Sequence, residues 1–308
     1  MAGNPDITTA YAGESAGVYI SAALKQAKSL EYMTTYENIK YKRTLQVMTH
    51  SSALVKNSSC DFDAQGTLLL ADKVLTPKLL EVNIQLCKSD VLDDWQSAQM
   101  QAGALNSDFS ADFMAFVMSY VAGHIGQGVE NHIWTGADAN AGSFEGFTTA
   151  TSGAFAQDGN VVAVANQGGA GIAFDALNII ANLGAGLAAS PDTIYGADDL
   201  YIYISPKSYR LYIEAISKLG YVNAYNMSGE YVPMFNGVNV AMCPGVPNDE
   251  IIVARQSNLF FGTDLVSDQT EVRMLDMTPL DGSDNVRLIA KFSGAVQCGI
   301  GAEIVHVS

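Results

Sequence analysis

The sequence predicts an α+β chain whose helices and strands are grouped by region, and three stretches carry that prediction. Residues 80–88, LEVNIQLCK, alternate with a period of two. Leu80, Val82, Ile84 and Leu86 fall on one face and Glu81, Asn83 and Gln85 on the other, as a half-buried strand requires. Residues 107–134 place Phe109, Phe113, Phe116, Tyr120, Ile125, Val129 and Ile133 at three- to five-residue steps, the apolar stripe of one long helix. Between residues 172 and 262 helix-like and strand-like segments alternate, which marks an inserted α/β unit.

Residues 1–13 are small, polar and without periodicity, so they predict an extended arm. A short helix follows in AGVYISAALKQAKSLEYM, where Val18, Ala22, Ala23 and Leu24 form a thin stripe that needs a partner surface. YKRTLQVMTH (41–50) and TLLLADKVL (67–75) read as strands, with a polar tip near residues 49–66. Such a hairpin has little core of its own and is marginal in water unless it lies on something else. Ser89 and Asp90 precede apolar positions and predict a helix start. The long helix can be capped by Ser107 or Ser110 and stopped by Gly136, and would run for about 40 Å. Gly123, Gly126 and Gly128 each weaken it by up to ~1 kcal/mol relative to alanine, and are read as a strip for close contact.

Residues 136–171, rich in Gly, Ala, Ser and Thr, predict a loop with one short strand at Asn160–Ala165. In the inserted unit FDALNIIANLGAGLAAS predicts an amphipathic helix ended by glycine. LYIYIS (200–205) predicts a strand, and PKSYRLYIEAISKLGY a helix with Pro206 in its first turn. Residues 234–247 predict a strand and turn, and 250–264 one further strand. The tail closes with two strands around the turn LDGSDN.

A chain of 308 residues with 48% hydrophobic and 16% charged residues can bury a large core. Its 16 basic against 32 acidic residues give a net charge of −16. That balance serves solubility, and it lacks the Lys/Arg cluster that binding to nucleic-acid phosphates needs. Cys60, Cys87, Cys243 and Cys298 are scattered without a CxxC pair, so they read as buried thiols of a cytoplasmic protein. The N-terminus does not read as a secretory signal, and no run of about 18 apolar residues is present to span a membrane.

Few residues invite a chemical role. His124 and His132 flank Glu130 but stand eight residues apart, too far for the i, i+4 ligand pair of a zinc helix. The glycines of QGGAGIAF, at 168, 169 and 171, miss the dinucleotide-loop spacing. Asp93, Asp94 and the SDFSAD stretch (107–112) suit helix starts. Tyr201, Tyr203, Tyr209, Tyr212, Tyr221, Tyr225 and Tyr231 gather near only Lys207, Arg210 and Lys218, which favours packing over stacking on bases. No catalytic, cofactor-binding or metal-ligating residue is assigned, and the chain is not expected to be an enzyme.

The order of elements resembles the major capsid proteins of tailed bacteriophages, the Hong Kong 97 phage capsid fold, and is nearest in character to those of Bacteroidetes-type phages. Residues 59–95 resemble the extended E-loop and its return. Residues 107–136 resemble the spine helix and the turn after it, and residues 257–301 the closing strands. The resemblance implies an N-terminal arm with a short helix over 1–40 and an E-loop over 41–80. It implies a peripheral P-domain from 81–171 and 263–308, with the spine helix at about 107–134, and an axial A-domain over 172–262. It further implies a non-catalytic protein that self-assembles into an icosahedral or prolate shell around double-stranded DNA. Expected partners are its own copies in pentamers and hexamers, a separate scaffolding protein, a portal and decoration proteins, with no membrane. The expected location is the virion, assembled in the host bacterial cytoplasm. Lys56 and Lys73 lie in the E-loop, where some members crosslink a lysine, but no motif here assigns that reaction. The alternatives are an encapsulin-like bacterial compartment shell and a soluble α/β enzyme using the inserted unit, which would need a pocket of convergent titratable groups.

Overall fold

A computed structural model of the protein describes residues 27–50, 60, 68–87, 111–140, 142–169, 171–218, 234–264 and 273–308. A 3₁₀ turn at Lys28–Tyr32 leads into β1 (Thr34–Tyr36), followed by β2 (Arg43–His50), β3 (Leu68–Leu75) and β4 (Lys78–Cys87). Then come α1 (Ala111–Thr135), α2 (Ala154–Asp158), β5 (Val162–Val164), α3 (Ile179–Ala188), β6 (Leu200–Ile204) and α4 (Pro206–Lys218). The chain continues through β7 (Met234–Phe235), β8 (Val238–Met242), β9 (Ile251–Arg255), β10 (Leu259–Gly262) and β11 (Arg273–Asp276). It ends with α5 (Thr278–Asp281), β12 (Asn285–Cys298) and β13 (Val305–Val307).

These strands make three sheets. The first is built on β12, a strand of fourteen residues that pairs with β4 along one edge from Asn285↔Cys87 to Gly294↔Lys78. β11 pairs with the opposite edge over residues 286–289, β10 pairs with the end of β12 from Ala295 to Cys298, and β1 lies parallel to β10. The second sheet has the order β5-β13-β9-β6-β8-β7. The third is the antiparallel ribbon of β2 and β3, in register from Arg43↔Leu75 to His50↔Leu68.

Helix α1 lies across the first sheet and measures about 37 Å at the usual rise. Val117, Met118 and Val121 near its start pack with Met274, Val286 and Leu288. Val129, Ile133 and Trp134 near its end join Phe144, Phe147, Phe155 and Tyr203 in the main core. The second sheet has its own core, in which Ile179, Leu183 and Leu187 of α3 and Tyr212 of α4 cover Ile202, Val253 and Val305.

The chain passes between the two large sheets three times, from β4 to β5 by way of α1 and α2, from β9 to β10 and from β12 to β13. The last two crossings each contain a 3₁₀ turn, at Gln256–Asn258 and Gly301–Glu303. Buried Asn258 joins them. Its Nδ2 donates to Ile300 O at 2.8 Å, and its Oδ1 accepts from Ile300 N at 2.7 Å.

Several expectations need correction. Tyr120 is 61% exposed and belongs to the outer face of α1, because the buried stripe runs through Val117, Val121, Val129 and Ile133. Helix α3 does not stop at glycine but runs through Gly184 and Gly186. A Cβ at Gly186 would stand 3.0 Å from Val307 Cγ2, so that glycine lets the helix seat on the sheet. The single strand expected at 250–264 is two strands in different sheets. The last fourteen residues of the expected arm are not a loose extension: Ala27, Ser29, Met33 and Ile39 are buried in this chain's own core. Sheet membership also departs from the expected domain limits, since β5 and β13 join the sheet of the inserted unit and β10 joins the other. The helix around Val18–Leu24, the Ser89–Asp90 helix start, the Ser107 and Ser110 caps, Lys56, Tyr221, Tyr225, Tyr231 and most of the hairpin tip lie outside the described residues.

Candidate functional site

The surface that calls for explanation is the β2–β3 ribbon. At its root Leu75 is fully buried against Ile39 and Ala295, and Leu45 is buried on the same face. A Cβ at Gly262 would lie 2.5 Å from Leu75 Cδ2, so the glycine is what admits the leucine. Gln297 Nε2 donates to Val74 O at 3.2 Å. Lys73, directly opposite Leu45, donates to Asp158 Oδ2 at 2.6 Å. The Asp158 side chain is only 3% exposed, and it also accepts from Asn160 Nδ2 at 3.0 Å and Gly301 N at 3.2 Å. Burial would push this carboxyl up, but the hydrogen bonds from Lys73 and Asn160, with the lysine's charge, hold it below the usual carboxylate value.

Beyond Lys73 the ribbon leaves the body. Leu68, Leu69 and Leu70 are 60%, 52% and 66% exposed and Met48 is 61% exposed, while Val47 keeps partial cover. Leu68 and Leu70 occupy one face of the ribbon and Leu69 the other, because strand side chains alternate. Each large apolar side chain left in water forgoes about 1.5–3 kcal/mol of burial. A contiguous set of this kind marks a contact surface.

A second arrangement fixes the subunit's frame. Glu130 on α1 is 3% exposed. Its Oε2 accepts from Ser29 N at 3.0 Å, and its Oε1 from Ser29 Oγ at 2.5 Å and Gly245 N at 3.1 Å. Trp134 Nε1 in turn donates to Ser29 Oγ at 2.7 Å. One carboxylate thus ties α1 to the segment before β1 and to the turn after β8. A Cβ at Gly245 would collide with the Glu130 carbonyl oxygen, so the turn reaches the helix only as glycine. In the sequence Glu130 stood out only as the neighbour of two histidines. Its signal was a lone acid beside the apolar stripe of a helix that is otherwise almost uncharged.

The other residues singled out in the sequence are not brought together. His124 stacks edge-on against Tyr120, at 4.5 Å between ring centroids. His132 lies edge-on to Phe144, and its Nδ1 is buried without a hydrogen-bond partner. Desolvation lowers the His132 pKa. In the glycine loop Gly168 N donates to Asn166 Oδ1 and Gln167 N to Asn182 Oδ1 of α3, so these amides close the loop and tie it to the helix. Burial pushes the Cys298 thiol up to about 12 and the Cys243 thiol higher still. Tyr203 is fully buried and donates to Tyr32 O at 2.6 Å. A cleft of about 420 Å³ opens at the ribbon root between Val74, Pro77, Lys78, Phe144, Gln157 and Gln297. Lys78 bonds Asp138, and Glu145 accepts from Asp138 N and Ser152 Oγ, so the polar rim is internally paired. Among the described residues no group of three His, Cys, Asp or Glu side chains is placed to hold a metal, and no helix is long and apolar enough to cross a membrane.

The architecture is the α+β fold of phage capsid subunits. Among solved structures it is similar to one titled Microbacterium phage Oxtober96, with a TM-score of 0.59 and 12% identity over 92% of this chain and 90% of that one. It is similar to the capsid of a native GTA particle computed with C5 symmetry, with a TM-score of 0.56 and 13% identity over 92% and 89%. It is also similar to a virus-like particle from Pyrococcus furiosus, with a TM-score of 0.52 and 9% identity over 96% and 98%. No protein-family model matches the sequence, and no curated protein matches it.

Proposed function

We propose that this chain is the major capsid protein of a tailed bacteriophage, a non-catalytic subunit that self-assembles into the shell around double-stranded DNA. The observation that carries the reading is the β2–β3 ribbon, which leaves the body after Lys73 with its leucines in water. A second copy of the subunit is the surface that covers it. Many such contacts, each modest, stabilise a closed shell through multivalency.

The division into an E-loop at 41–80, a P-domain at 81–171 and 263–308 and an A-domain at 172–262 belongs to this proposal as a division by chain order, with β5 and β13 completing the A-domain sheet and β10 the P-domain sheet. So do pentamers and hexamers, a separate scaffolding protein, a portal, decoration proteins and assembly in the host cytoplasm. The net charge of −16 suits a container that encloses DNA without gripping it. The similarity to the virus-like particle from Pyrococcus furiosus, at a lower TM-score, gives the bacterial-compartment alternative no better support. Adjacent portal and terminase genes would favour the phage, and an adjacent cargo-enzyme gene the compartment.

Electron microscopy and light scattering of the purified protein, alone and with its scaffold, test the proposal. Rings or closed particles are expected. Removing residues 50–66 should leave a folded subunit that no longer assembles. A parent protein that stays monomeric at every salt concentration, or a deletion variant that still builds particles, would count against the reading.

A further inference from the structure

We propose that Lys73 and Asp158 form a clamp that sets the direction of the β2–β3 ribbon before any second subunit is met, and that both are positioning residues for assembly. The proposal rests on the shell-protein reading for its consequence but not for its geometry.

A ribbon rooted at one point can pivot, whereas one held at two points along a strand cannot. Leu75 supplies the first point, buried against Ile39 and Ala295. Lys73 supplies the second, two residues outward on the same face and level with buried Leu45, through its 2.6 Å bond to Asp158. The spacing between them is about 7 Å at the usual strand rise, and Leu68 lies about 24 Å from Leu75. A slip of about 1 Å at Lys73 therefore becomes roughly 3.5 Å at Leu68. Asp158 is itself immobilised, because it terminates α2 and accepts from Gly301 N beside the crossing into β13. The clamp thus ties the ribbon's angle to the frame of the body. Fixing it in the free subunit removes an ordering cost that assembly would otherwise carry.

The test uses full-length protein in which Cys60 and Cys87 are replaced by serine and nitroxides are attached at Met48→Cys and Asp192→Cys. Both of these positions are exposed, one on the ribbon and one on the inserted unit. Pulsed electron resonance on unassembled subunits reads the distance between them. The parent should give one narrow distribution, K73M a broadened or displaced one, and K73R should restore the parent's. K73M should also raise the concentration needed for particle formation roughly tenfold. D158N should act in the same direction, while K73M keeps Asp158 and its bond to Gly301 N in place, and circular dichroism of both variants checks that the subunit stays folded. A K73M distribution as narrow as the parent's and centred at the same distance overturns the clamp. A broadened distribution upholds it, also where the parent forms no particles, in which case only the shell reading falls.

Discussion

Replacing Glu130 by glutamine tests whether one buried carboxylate joins three distant segments. The substituted side chain can keep an oxygen where Oε1 now accepts from Ser29 Oγ and Gly245 N. Its amide nitrogen then faces Ser29 N, a donor against a donor, where Oε2 now accepts at 3.0 Å. The alternative rotamer restores that bond and loses the other two. The smaller loss is one hydrogen bond to a charged acceptor, about 1.5–3 kcal/mol, plus a buried unpaired N–H costing about 1–3 kcal/mol. The glutamine also escapes the desolvation cost of a buried charge, which trims the total. A net destabilisation of about 2–4 kcal/mol follows, equivalent to roughly 3–6 °C in Tm for a chain of this size. Trp134 is a built-in reporter because its indole N–H donates to Ser29 Oγ. In a Trp95→Phe background, urea unfolding of the unassembled subunit followed by Trp134 emission gives both quantities. A change below about 0.5 kcal/mol with unaltered emission would refute the reasoning and leave apolar packing as what holds the junction.

Two further outcomes are expected. A thiol reagent at mildly alkaline pH should modify exposed Cys60 at once, and reach Cys243 and Cys298 only on unfolding, since burial raises both of their pKa values. Rapid labelling of either buried thiol in the native subunit would contradict the packing. The lowered His132 pKa means that the unfolded chain takes up this proton first. Stability should therefore fall as pH drops through the ordinary imidazole value of about 6.5. His132→Phe should flatten that fall and remove the unpaired Nδ1, which equilibrium unfolding on either side of that pH would show; an unchanged pH slope would refute it.

Much of this molecule was legible before its coordinates. The alternation at 80–88 and the stripe on 107–134 each encode burial against a single partner face, and both elements formed. The ribbon was legible for the same reason inverted: leucines on both faces of a strand pair leave no side for a local core. Tyr120 was misplaced because steps of three to five residues admit two neighbouring stripes on a helix, and only packing against β12 chooses between them. The break at Gln256–Asn258 was invisible because none of its residues is Gly or Pro, and its cause is Ile300, more than forty residues on. Glycine in LGAGLAAS read as a helix end because the close approach of Gly186 to Val307 leaves no local trace. Glu130 was hidden by the same non-locality, since Ser29 and Gly245 are its partners only in the folded chain.

The pairing of Asn258 with Ile300 has a mechanical consequence. Two of the three polypeptide links between the large sheets are riveted at this one amide, so they cannot slide past each other or spread apart without breaking both of its hydrogen bonds. Any movement that parts the two sheets must therefore break this pair as well as open the core they share.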